Sequence, residues 1–287
     1  MPLSTLLPLE CLTPGRLDQF SGRGMHGFWF ERWRKVDPAT GDRLHAQPQD
    51  APFSLSPLLG LPRRHSGMTV PTGQAAWLRI TCLEDELEDA FLEKWLPGVE
   101  MGSPLELPSS DPKGPAVQWQ ILPPASPPGP FQPLALRTSY QEMSRQYLLQ
   151  ADPPHQWRLE FLSPTTFNTG RTTEGKDNHL PFPLPESLVR SWLRRWQVFA
   201  PVALPEEDLV AWARTNLAVS SYRLQAQPVR EGERLRVGCT GRMTLRALDM
   251  PPYLRAVLDL LAHYALFCGS GSHTTQGLGQ TRLLPAR

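Results

Sequence analysis

The chain has 287 residues, a formal net charge of +1, 40% hydrophobic and 20% charged residues. That balance suits a globular chain long enough for about two domains, each with a buried core, and excludes wholesale disorder. The most apolar runs, LLPL and AVLDLLAHYALFC, fall short of the ~20 residues of a spanning helix, and the first residues lack the basic start and small-residue cleavage site of a signal peptide, so a cytoplasmic protein without membrane contact is expected.

Residues 3–12 read as a strand ended by Thr13-Pro14-Gly15. Residues 16–36 carry Leu17, Phe20, Phe28, Phe30 and Trp33 at loosely helical spacing, weakened by Gly22, Gly24 and Gly27, and Asp37-Pro38 marks the end of that helix. Strands are expected at 53–59 and 74–83, a helix with an acidic first turn at 84–96, and a strand at 116–122. The loop LPPASPPGPFQP (122–133) holds six of the chain's 32 prolines and cannot be the interior of a helix or strand. It puts a domain boundary at residues 125/126.

The second half repeats the order. After a helix at 138–149 come a strand at 156–163, helices at 186–199 and 205–215, strands at 217–226 and 234–246, a helix starting at Pro251-Pro252, and a strand at 278–284. Gly269 stands where a left-handed C-cap glycine belongs. The element order therefore predicts an α+β protein of two tandem ferredoxin-like (RRM-like, βαββαβ) domains, 1–125 and 126–287.

Charge is unevenly spread. Residues 1–125 hold 11 basic and 15 acidic side chains, whereas residues 214–287 hold 10 arginines against 4 acidic side chains. A polyanion is thus expected to favour the C-terminal quarter, and arginine suits both phosphate and base stacking. The four cysteines, at 11, 82, 239 and 268, lie too far apart for a zinc ribbon or a CxxC pair and read as buried thiols. No metal and no cofactor is expected.

The sharpest local feature is GSGSHTTQGLGQ, residues 269–280. Its glycines allow close backbone approach, and its N–H groups and hydroxyls suit phosphate oxygens. It follows a helix and opens a strand, the reverse of a dinucleotide fingerprint, and it lacks the Gly-Lys-Ser/Thr of a Walker loop.

From about Leu254, the run ending LAHYALFCGSGSHTTQGLGQTRLL resembles the C-terminal signature of the CRISPR repeat-cleaving endoribonucleases of the repeat-associated mysterious protein superfamily. RLHAQPQDAPFSLSPLLG (43–60) is similar to that family's histidine followed by a Pro-Phe-Thr/Ser-x-Ser-Pro-Leu segment. LEFLSPTTF (159–167), HLPFPLPESLVRSWLRRWQVFAP (179–201) and VGCTGRMTLRAL (237–248) agree with its second domain. The resemblance implies two ferredoxin-like domains that bind CRISPR repeat RNA and cut precursor crRNA without metal. The 2′-hydroxyl attacks the adjacent phosphorus and leaves a 2′,3′-cyclic phosphate and a 5′-hydroxyl.

Such chemistry needs a base, an acid and cations for the phosphorane, roles that histidine and arginine fit near neutrality. The resemblance points to His45 as the catalytic histidine, with His26 on the first helix as the runner-up. For RNA binding it implies the loop, Gly269, Ser270, Gly271, Ser272, His273, Thr274, Thr275, Gln276, Gly277 and Gly279, joined by Arg23, Arg214, Arg223, Arg242 and Arg246, with Arg194 and Arg195 toward a repeat stem. The chain departs from family members that place a tyrosine in the first helix and a lysine before the Phe-Thr/Ser segment: it has Phe28 and Phe30, and Asp50-Ala51. Either Arg23, Arg43, Arg63 or Arg64 supplies the missing charge, or catalysis rests mainly on positioning. The alternative is a subunit that holds crRNA in a larger effector complex, with other subunits as partners, and does not cut.

Overall fold

The computed structural model describes the chain apart from residues 19, 48, 49, 62–67, 101–103, 112, 124–126, 172, 176, 232, 233, 286 and 287. Arg63 and Arg64, two of the four arginines considered for the missing charge, lie outside the described residues, as does the middle of the proline-rich loop. The chain divides into two units, Pro2–Arg137 with Thr275–Gly277, and Met1 with Thr138–Thr274 and Leu278–Arg287.

The N-terminal unit runs β1 (Leu3–Cys11), β2 (Gly15–Leu17), α1 (Gly22–Val36), α2 (Pro38–Ala46), β3 (Phe53–Leu55), β4 (Met68–Val70), β5 (Ala75–Cys82), α3 (Asp85–Ala90), a π-helical turn (Phe91–Trp95), α4 (Leu96–Glu100), β6 (Leu105–Leu107), β7 (Val117–Ile121) and β8 (Leu136–Arg137). Its main sheet has the order β3-β5-β1-β7-β6, antiparallel throughout, with β8 added beside β1. Taking β1, β3, β5 and β7 as the four framework strands, the order is 2-3-1-4, that of a ferredoxin-like fold.

Three sequence expectations shift here. The first helix begins at Gly22, not at 16. Asp37-Pro38 ends α1 but also starts α2, because Asp37 caps it by accepting from Thr40 N at 3.2 Å and Pro38 supplies the preset first turn. The acidic helix carries a π turn, in which Phe91 and Trp95 stack at 5.2 Å and Trp95 reaches Trp29 at 5.0 Å. Those rings, with Trp33 and Phe53, form the heart of the core.

The C-terminal unit runs α5 (Tyr140–Leu148), β9 (Gln156–Thr165), β10 (Phe167–Arg171), β11 (Asp177–Leu180), α6 (Pro185–Phe199), α7 (Glu206–Asn216), β12 (Leu217–Glu231), β13 (Arg234–Ala247), α8 (Pro252–Cys268) and β14 (Thr281–Leu284). The sheet order β12-β13-β9-β14 is again 2-3-1-4. Along β9, Trp157, Leu159 and Phe161 are buried while Arg158 and Glu160 alternate with them on the other face. The hairpin β10-β11 is an addition the sequence reading did not contain. Gly269 has the positive φ expected of it, but at φ 71 and ψ −173 it is extended rather than left-handed helical. All four cysteines are free and buried. Among the described residues, no helix is long and apolar enough to cross a membrane.

Candidate active site

In α1, residues four apart stack on one face. Met25, Trp29 and Trp33 form the buried stripe, and His26 and Phe30 lie beside it one turn apart, their rings 4.9 Å between centroids and edge to face. Phe53 in β3 closes the inner side: its ring is 5.9 Å from Phe30, 5.1 Å from Trp29 and 6.5 Å from His26. Helix α2 brings the second imidazole. Its Gly41 packs against Trp33, where an added Cβ would lie 3.2 Å from the Trp33 Cβ, and Leu44 is buried. Arg43 pairs with Glu84 at 3.0 Å. With that face of α2 committed, His45 in the last turn is exposed and sets its ring 5.3 Å from Phe30, edge to face. The structure thus brings His26 and His45 together against one phenyl ring.

His26 is half-buried, and its Nδ1 lies 3.0 Å from the Thr275 carbonyl oxygen. Burial pushes its pKa below the ordinary histidine range; the hydrogen bond to Thr275 works the other way, and the charges of His45 and Arg23 push it down further. Arg23 itself is exposed in the first turn of α1. The Pro-Phe-Ser-Leu-Ser-Pro-Leu stretch is structural: Ser54 Oγ meets Thr81 Oγ1 at 2.7 Å, Ser56 Oγ accepts from Arg79 N, and Leu58 N donates to Ser21 Oγ beside the start of α1.

In the glycine-rich segment, expected to cradle phosphate, the N–H groups at both ends already have partners within the protein. Ser270 N donates to Gly279 O, Gly271 N to Ser191 Oγ, Ser272 N to Thr166 O, Leu278 N to His273 O, Gly279 N to Pro164 O and Gln280 N to Ser163 Oγ. Ser270 Oγ accepts from Trp192 Nε1 at 2.8 Å and from Thr281 Oγ1 at 2.8 Å. The glycines serve close packing of main chain: a Cβ on Gly271 would meet Thr166 O at 2.2 Å, and one on Gly279 would meet Ser270 O at 2.1 Å. A Cβ on Gly269 would meet Thr274, which is itself buried. Ser272, His273, Thr275 and Gln276 keep partial exposure. His273 sits at φ 59 and its Nε2 accepts from Arg236 Nη1, a group that also lies 3.5 Å from His179 Nε2.

The arginines separate into two kinds. Arg195 is buried, with its guanidinium 5.3 Å over the Phe199 ring, so it belongs to the interior of its unit rather than to an RNA-facing surface; an arginine's apolar stem makes such burial tolerable. Its neighbour Arg194 is exposed one step around α6, and Arg214 is exposed 3.8 Å from Glu186. Arg223, Arg242 and Arg246 are exposed on the C-terminal sheet. Register puts Arg223, Arg242, Glu160 and Arg282 in one row across four strands. Glu160 accepts from Arg242 Nε at 2.8 Å and Arg282 Nε at 2.7 Å. Burial pushes its carboxyl up, but these bonds outweigh it and hold Glu160 below the usual carboxylate range. Arg282, Arg158 and Glu160 were missed by the sequence reading. The alternation Gln-Trp-Arg-Leu-Glu-Phe at 156–161 was the signal that would have placed the latter two on one face.

Comparison with known proteins agrees over nearly the whole length. The CRISPR Cas6 N-terminal domain matches residues 1–145, and the CRISPR-associated endoribonuclease Cas6 family matches residues 159–281. Among solved structures, the Cas6 (TTHB231) product complex is 27% identical with a TM-score of 0.78, covering 99% of this chain and 100% of that one. Thermus thermophilus Cas6 (TTHB231) is 25% identical, with a TM-score of 0.68 and coverage of 99% and 98%. The Cas6 (TTHA0078) product complex, 24% identical with a TM-score of 0.71 over 99% and 100%, shares the fold. No curated protein matches the chain. With both halves of the family accounted for, and with two tandem ferredoxin-like units in place, the chain belongs to the Cas6 family of CRISPR-associated endoribonucleases.

Proposed function

We propose that this protein binds the repeat RNA of a CRISPR precursor transcript and cuts it by metal-independent transesterification, with His26 and His45 as the proton-transfer pair. The observation that carries the reading is the convergence of both imidazoles on the Phe30 ring, one half-buried and one exposed. His26, whose burial favours the neutral ring, takes the proton of the ribose 2′-hydroxyl. The 2′-oxygen forms a bond to phosphorus as the P–O5′ bond breaks. His45 gives its proton to the departing 5′-oxygen. The products are a 2′,3′-cyclic phosphate and a 5′-hydroxyl, and the two histidines have exchanged protonation states. Arg23, in the turn before His26 and close enough for its charge to act on that ring, serves the developing phosphorane charge in the place of the lysine that other family members use.

Affinity in this reading comes from the C-terminal unit. Arg223, Arg242 and Arg246 on the open sheet face, Arg194 and Arg214 on the helices, and the part-exposed side chains of Ser272, His273, Thr275 and Gln276 contact RNA phosphates and bases. The relative in complex with its product, 27% identical over the full chain, supports a retained RNA site. The test is to incubate the protein with repeat RNA in excess EDTA and map the product ends. One cut leaving a 2′,3′-cyclic phosphate is expected. Tight binding with no product over hours would replace this reading with that of a non-cleaving crRNA subunit, and loss of cleavage in EDTA that is restored by a divalent cation would overturn the metal-independent step.

A further inference from the structure

The residues Thr275–Gly277 belong to the N-terminal unit, although the chain on either side of them belongs to the other. What they touch there is the first turn of α1. A Cβ on Gly22 would lie 2.0 Å from the Gln276 carbonyl oxygen. One on Gly277, at φ +89, would lie 2.9 Å from the Gly22 Cα and 3.0 Å from Pro57 N. Two main chains therefore approach at a distance that a side chain on either glycine would prevent. Gly27, in the same helix, has nothing within 4 Å of an added Cβ, so the demand is local. Gly22 and His26 are four residues apart on one helix face, so a segment lying over Gly22 also reaches His26. It does so with the Thr275 carbonyl, 3.0 Å from His26 Nδ1.

A carbonyl oxygen has no proton to give, so Nδ1 must donate. In the neutral ring the lone pair then sits on Nε2. We infer that the tip of the glycine-rich segment is an orienting element for the base: the Thr275 carbonyl holds neutral His26 as the Nδ1-protonated tautomer, and Gly22 and Gly277 are the positioning residues that permit its approach. Histidine in water favours the opposite tautomer, with the proton on Nε2, which offers no lone pair there for the 2′-hydroxyl. The inference deepens the proposed reaction and rests on His26 acting as its base. It also gives the glycines at positions 22 and 277 a role distinct from any contact with phosphate.

The tautomer can be read directly from 15N chemical shifts of histidine-labelled protein, free of RNA and above neutral pH. A protonated Nδ1 and an unprotonated Nε2 at His26, assigned by comparison with His26→Gln, are expected. A protonated Nε2, or an even mixture, overturns the inference. Gly277→Ala should move His26 toward the mixed state and lower the single-turnover rate roughly 10- to 100-fold. Gly27→Ala should leave tautomer and rate as they are. An unchanged tautomer in folded Gly277→Ala would remove the glycine from the argument. Because the shifts are measured without substrate, the two readings fail separately. A Nδ1-protonated ring in a protein that does not cut RNA keeps the orientation and sinks the proposed function, whereas a Nε2-protonated ring in an active enzyme does the reverse.

Discussion

The two units share the strand order 2-3-1-4 yet carry different chemistry in different places. In the N-terminal unit the notable side chains lie on helices: His26 on α1 and His45 on α2, both set against aromatic rings that continue into the core. In the C-terminal unit they lie on a sheet face, where arginines stand at alternate positions over buried Trp157, Leu159, Met243 and Leu245. A helix that packs tightly on one side fixes a side chain at its margin, which proton transfer needs. An open antiparallel face presents a row of long charged side chains, which suits electrostatic attraction and tolerates imprecise placement. In the proposed function the same topology is divided between positioning and affinity.

The sharpest way to break that comparison is to remove the imidazoles. His26→Ala and His45→Ala are each expected to slow single-turnover cleavage at least ~100-fold, while RNA affinity, measured by filter binding, stays close to wild type. A variant that cuts normally would take its histidine out of the mechanism. Next come the arginines. Arg223→Ala, Arg242→Ala and Arg246→Ala should each lower the slope of log affinity against log salt by about 0.7–0.9, with the cleavage rate at saturating RNA unchanged. A reduced rate at saturation would place the sheet face in catalysis as well.

The pH dependence separates the units in another way. His26 has its folded pKa depressed below the unfolded value, so the unfolded state binds the extra proton first. Its contribution to stability is present above about pH 6.5, the ordinary histidine value, and is lost as pH falls through the folded pKa. Denaturant titrations from pH 8 to pH 5 should therefore show a steeper decline for wild type than for His26→Phe. Equal declines would mean that the half-buried ring titrates normally. Least for catalysis is Trp192→Phe, which removes the indole donor to Ser270 Oγ and leaves a gap at a fully buried site; it should cost about 1–3 kcal/mol of stability, seen as a lower melting temperature, with no change in the cleavage rate at saturating RNA.

Much of this was legible in the letters. The proline-fixed corners and the periodicity of 156–161, 186–199 and 252–268 encode element order, because each depends on neighbours two to four residues away. The arginine excess after residue 214 is likewise a property of composition. The family resemblance of the segment from His45 to Phe53-Ser54-Leu55-Ser56 points to His45, and the fold places that segment beside α1 through Leu58 N and Ser21 Oγ. Helix α2 was missed because Asp37-Pro38 reads equally as a stop and as a start; only the cap bond to Thr40 distinguishes the two. Arg194 and Arg195 look alike in sequence, and the one-residue rotation around α6 that exposes the first and buries the second depends on the packing of Trp192 and Trp196.

The framework strands and the longer helices, the family signature and the polarity of charge along the chain are carried by local sequence, since short-range sterics and patterning suffice to set them. The role of the glycine-rich segment is not. Its N–H groups are matched with acceptors such as Pro164, Thr166 and Ser191, and its tip with His26, 249 residues away. Such pairings arise only when the folded backbone brings distant polar groups to hydrogen-bonding distance, and burial then obliges each to find a partner.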